Sequence, residues 1–153
     1  MMIASSQLDL LYRYPESMWA KPVSERWVFL CDALRHYDAP VGRLVLARER
    51  KWELVSALQK SIRRGEREIA LHLLSAIDGM PQEYAYFWRR VCVTACEDVG
   101  PADDTLAAFV VACSTVFPPK KTGNTNYGLL CFLAEQMCDL STRSRILLQL
   151  RHD

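Results

Sequence analysis

Apolar residues recur at helical spacing along most of this chain. Residues 51–104 read KWELVSALQKSIRRGEREIALHLLSAIDGMPQEYAYFWRRVCVTACEDVGPADD, which predicts three amphipathic helices and two tight breaks. Residues 52–63 carry Val55, Leu58 and Ile62 on one stripe, and Gly65 suits a C-terminal stop. Residues 66–77 bring Ile69, Ala70, Leu73, Leu74 and Ile77 to a buried face before Gly79-Met80-Pro81 breaks the pattern. Tyr84, Trp88, Val91, Cys92 and Ala95 define the third helix, ended by Gly100-Pro101.

The flanks continue the theme. Ile3, Leu8, Leu10 and Leu11 suggest a short helix ended by Pro15, with Trp19 and Pro22 in an irregular connection. Residues 23–37 predict a helix capped by Ser24, with Trp27, Leu30, Cys31 and Leu34 on one side. Residues 41–47 alternate too briefly to separate a strand from a helix. A helix is expected, because no second strand lies nearby to pair with it. Asp103 or Asp104 caps the next helix, with Leu106, Phe109, Val110, Cys113, Val116 and Phe117 inward. After a doubled-proline loop at 118–123, Asn124 or Thr125 opens a helix carrying Leu130, Leu133 and Met137, and Ser141 caps a last one with Ile146, Leu147 and Leu150. The expected fold is an all-α, compact multi-helix domain over 40–153, with 1–39 as an N-terminal helical extension.

Composition adds limits. Half of the 153 residues are hydrophobic, enough for a sizeable core, and the formal net charge is only +1. That total hides an asymmetry. Arg43, Arg48, Arg50, Lys51, Lys60, Arg63, Arg64 and Arg67 face only Glu49, Glu53 and Glu66, whereas Glu68, Asp78, Glu83, Glu97, Asp98, Asp103 and Asp104 face only Arg89 and Arg90. Two solvated faces are the plain expectation. The six cysteines include no C-x-x-C pair and mostly sit in apolar helical patterns, so reduced thiols and a cytoplasmic setting are expected. No signal peptide and no membrane span are read.

No catalytic constellation is expected. Lys120-Lys121-Thr122-Gly123 holds the residue types of a phosphate-binding loop in the wrong order. Ser56, Lys60 and His72 lack a strained nucleophile turn. Cys92 and Cys96 follow Arg89-Arg90 but are expected in the core. Three scattered histidines give no metal spacing, so no metal or cofactor is expected. Glu97-Asp98 and Asp103-Asp104 read as an ion-paired helix corner, in which Glu97 reaches Arg89 or Arg90 across about two turns or meets a basic residue of another helix. Lys60, Arg63, Arg64 and Arg67, with Lys120 and Lys121 and the C-terminal Arg143, Arg145 and Arg151, form a basic cluster suited to phosphate contact. Trp19, Trp52 and Tyr127 are expected in the core, with base stacking as the alternative.

Several groups in order resemble the C-terminal region of the replication-associated recombination protein A family, the RarA/MgsA-type AAA+ ATPases related to clamp loaders. Ser56-Ala57-Leu58, Lys60-Ser61-Ile62-Arg63, Ala70-Leu71, Arg89-Arg90, Ala95, Glu97-Asp98-Val99-Gly100 and Ala102-Asp103 carry the likeness. Pro119-Lys120 and residues 124–127 add to it more faintly, so it spans about 51–127. The ATPase module is missing, and Arg64, His72-Leu73-Leu74 and Gly79-Met80-Pro81 depart from the family pattern. In that family the region forms a helical collar that joins subunits, and the whole protein acts at stalled forks with single-stranded-DNA-binding protein.

The resemblance implies a collar-like, non-enzymatic interaction module that forms a homo-oligomer and acts in DNA replication, recombination or repair. It would bind or modulate a replication ATPase or single-stranded-DNA-binding protein, as a phage or mobile-element protein carrying a captured domain would. Arg89, Arg90, Glu97 and Asp98 would hold its helix corner. Direct DNA binding through the basic cluster is the alternative.

Overall fold

Helix boundaries in this chain fall where the backbone groups find partners. The computed structural model describes residues 21–41, 44–100, 103–116 and 127–150, with the backbone alone over 141–150. The regular structure among them is helical throughout, so the domain is all-α. The expected helix near the start and the doubled-proline loop lie outside the described residues. Contacts divide the chain into two units, Met1–Asp38 and Ala39–Asp153.

In the first unit, α1 spans Val23–Arg35. Its cap is Pro22, not Ser24: the Pro22 carbonyl accepts from the amides of Glu25 (3.1 Å) and Arg26 (3.2 Å). Ser24 already lies inside the helix. Leu30 and Ala33 are buried, while Cys31 is exposed.

In the second unit, residues 44–47 run without regular structure into a 3₁₀ turn at Arg48–Arg50, where a helix was expected. The reason is a tertiary contact. The Leu44 amide donates to Ser75 Oγ (3.1 Å), a tertiary bond in place of an intrahelical one. Five helices follow: α2 Lys51–Arg64, α3 Arg67–Asp78, α4 Tyr84–Thr94, α5 Asp104–Val116 and α6 Tyr127–Leu150. Gly65 ends α2 at φ 70°, with its amide bonded to the Ile62 carbonyl (3.0 Å) and the Glu66 amide to the Ser61 carbonyl (2.8 Å). These two bonds make the left-handed cap that glycine adopts at little cost. Asp103 caps α5, its Oδ1 accepting from the amides of Thr105 (2.9 Å) and Leu106 (3.2 Å).

α6 is the hub. Every residue from 129 to 138 is buried, Glu135 and Gln136 included, where only Leu130, Leu133 and Met137 were expected inward. It packs most extensively on α3 and α2, and also meets α5. The break expected at Ser141 does not occur; α6 runs on to Leu150. Neither glycine nor proline follows Gly128 before Leu150, so no residue there forces a break. Tyr84, Phe87 and Trp88 of α4 and Phe132 of α6 supply the largest buried side chains. The expected core positions Leu58, Ile62, Leu74, Ile77, Val91, Leu106 and Val110 are buried, while Ile69 and Val116 are exposed.

Candidate functional site

α4 does not stop cleanly. It continues into one π-helical turn, Ala95–Val99, closed by a Gly100 amide bond to the Ala95 carbonyl at 2.7 Å. A π turn holds one residue more than an α turn, so it rotates the side chains that follow it, and such turns gather at functional sites. Gly100 permits the closure. A Cβ there would sit 2.7 Å from the Cys96 carbonyl oxygen, inside contact distance of backbone that cannot swing away. Its φ is −50°, so close approach, and not a left-handed backbone, requires the glycine.

The turn delivers Asp98 to α2. Asp98 Oδ1 accepts from Arg63 Nε (3.0 Å) and Oδ2 from Gln59 Nε2 (3.1 Å). Gln59 Oε1 in turn accepts from Arg90 Nη2 of α4 (3.1 Å). With Asp98 only 12% exposed, one amide side chain ties an acid from the π turn to a base from α4. Of the four corner residues expected, Arg90 and Asp98 are thus joined, through Gln59, and Arg89 and Glu97 are exposed. The sequence reading missed Gln59 and assigned Arg63 elsewhere. The spacing of four between Gln59 and Arg63, one turn apart on α2, was the available signal.

The basic cluster is partly consumed inside the fold. Arg63 binds Asp98, and Arg67, the first residue of α3, pairs through Nε with Oε1 of Glu135, a buried carboxylate on α6. Arg64 lies 4.0 Å from Glu66, and Lys60 is exposed. Lys120 and Lys121 lie outside the described residues. At the other end of α2, Glu83 is buried and accepts from Arg48 Nε (2.5 Å) and Lys51 Nζ (3.1 Å). The Arg48 hydrogen bond first, and that of Lys51 second, hold its carboxyl below the ordinary value of 4.5. Arg48, Lys51 and Arg63 of the basic stretch thus pair with Glu83 and Asp98 of the acidic one, while Lys60, Glu68, Glu97 and Asp104 are exposed.

Trp52 is the second departure. It is 63% exposed on α2, not in the core. Its ring meets Tyr86 of α4 edge to face at 5.1 Å between centroids, and Lys51 Nζ stands 5.2 Å from the Trp52 centroid and 5.3 Å from that of Tyr86. Arg50 pairs with Glu53 (2.8 Å) beside it. The Tyr127 hydroxyl donates to the Pro40 carbonyl (3.3 Å), and burial, then the neighbouring Cys131, raises its pKa.

The six cysteines form no disulfide. Burial pushes the thiols of Cys131 and Cys138 up to about 12. Among the described residues no cluster of three or more histidine, cysteine or acidic side chains is placed to hold a metal, and no helix is long and apolar enough to cross a membrane. None of the family models, curated proteins or solved structures compared with this chain matches it.

Proposed function

We propose that this chain is a non-catalytic interaction and oligomerisation module that serves DNA replication or recombination by binding or modulating a replication ATPase. The observation that carries the interaction reading is Trp52. A large aromatic that is 63% exposed, steadied by Tyr86 and Lys51 and framed by ion pairs, has the composition of an interface hot spot. The replication link rests on the resemblance over 51–127. Direct DNA contact through Lys60, Arg63, Arg64 and Arg67 is the weaker reading, because Asp98 and Glu135 already neutralise two of the four cations. Phosphate binding by Arg63 or Arg67 would have to break an internal pair first.

A tagged pull-down from lysate, run with and without nuclease, tests this. Recovery of a replication ATPase or a single-strand-binding protein that resists nuclease and is lost in Trp52→Ala supports the module. Recovery that vanishes on nuclease treatment assigns the chain to DNA instead.

A further inference from the structure

The π turn has a competitor built into its own sequence. The Gly100 amide donates five residues back, to the Ala95 carbonyl, and not four back to Cys96 as in an α-helix. The residue five on from Cys96 is Pro101, which has no amide hydrogen. In the π register the Cys96 carbonyl therefore has no helical donor, whereas in an α register Gly100 would supply one. Two carbonyls compete for a single N–H.

The acids come as a matching pair. Asp98 is held by Gln59 and Arg63, while Glu97 is exposed and, among the described residues, makes no hydrogen bond or ion pair. Closing the turn with one residue fewer moves the side chains after it about one position further round the helix. Asp98 then leaves α2 and Glu97 arrives where it stood. Space permits the rotation, because the turn borders an open groove lined by small side chains, Ala107, Ala108 and Ala112 of α5 among them.

We propose that residues 95–100 are a two-register switch. In the π register Asp98 faces α2, and in the α register Glu97 replaces it at Gln59 and Arg63. The exchange is felt on α2, the helix that carries Trp52, so it adds a conformational control beside that surface without depending on what Trp52 binds. Gly100 sets the balance. A Cβ at residue 100 would lie 2.7 Å from the Cys96 carbonyl oxygen in the π register. In an α-helix every residue carries its Cβ past the carbonyl four back without conflict. Gly100→Ala therefore favours the α register.

Urea unfolding of the full chain in two backgrounds tests the switch. With Gly100 present, Asp98→Ala should raise the unfolding equilibrium constant about fivefold, and Glu97→Ala should leave it unchanged. In Gly100→Ala the order should reverse. If Asp98→Ala costs as much there as before and Glu97→Ala costs nothing, the proposal is overturned. Should Gly100→Ala fail to fold, deletion of Glu97 decides. The deletion removes the extra residue of the turn, so the α register then presents Asp98 to α2. The deleted chain should fold, and Asp98→Ala within it should again cost about fivefold. A deleted chain without native circular dichroism, or one indifferent to Asp98→Ala, overturns the switch.

Discussion

Gly100→Ala is the substitution that most directly probes the π turn. The glycine φ and ψ of −50° and −41° are open to alanine, so backbone preference alone favours the change. A shorter list of unfolded conformations would stabilise the variant by about 0.4–1 kcal/mol. The contact opposes this. The new methyl carbon lies 2.7 Å from the Cys96 carbonyl oxygen and 3.4 Å from its carbon. Relief to an ordinary separation needs roughly half an ångström of backbone movement, and overpacking of this kind costs about 1–3 kcal/mol. The movement also strains the Gly100–Ala95 bond that closes the turn. The net expectation is a loss of about 1–2 kcal/mol, or a Tm lower by about 2–8 °C at this chain length. Thermal and urea unfolding followed by circular dichroism measure it. Because the turn positions Asp98, Gly100→Ala and Asp98→Ala should also couple in a double-mutant cycle. A Gly100→Ala protein as stable as its parent, or additive with Asp98→Ala, would refute the close-approach argument.

Asp98→Ala by itself should cost about 0.5–1.5 kcal/mol in urea unfolding, because it removes the bonds from Gln59 and Arg63 while the 57% exposed Arg63 regains water. Glu83 has a folded pKa below its unfolded one, so its pairs stabilise above the ordinary value of 4.5 and are lost as pH falls through the lower folded value. Glu83→Gln should therefore lower stability at neutral pH and flatten its decline below pH 4.5. Maleimide labelling of the native chain at neutral pH should mark Cys31 and Cys96 and spare Cys131 and Cys138, read by peptide mass spectrometry; equal labelling of all four would contradict the buried hub.

The helices were legible because their stripes are regular and their stops are chemical. Gly65, Gly79-Met80-Pro81 and Asp103 act through the bonds their residue types predict. Trp52 was misread because the α2 stripe centres on Leu54, Leu58 and Ile62, and at 100° per residue the tryptophan falls roughly 120° from that centre. Residues 41–47 were misread because Leu44 takes its partner from α3, 31 positions away, which no local pattern announces. The corner was half legible. Acids at 97–98 and bases at 89–90 suggested ion pairs, but the π turn chooses which acid faces α2, and its extra residue has no period of its own in the sequence. The basic cluster was legible as charge and not as availability, since Asp98 and Glu135 reach it only through the fold.

The hub has a consequence for how the chain is made. α2 and α3 emerge from the ribosome before α6, whose most extensive packing is on these two. Roughly 85 residues separate the start of α2 from the buried middle of α6, which at about 5–20 residues per second is roughly 4–17 s of synthesis. During that interval Leu58, Ile62, Leu74 and Ile77 lack the cover that α6 supplies. The nascent chain is then a client for hydrophobic-binding chaperones, and translation pauses before residue 127 lengthen the exposure.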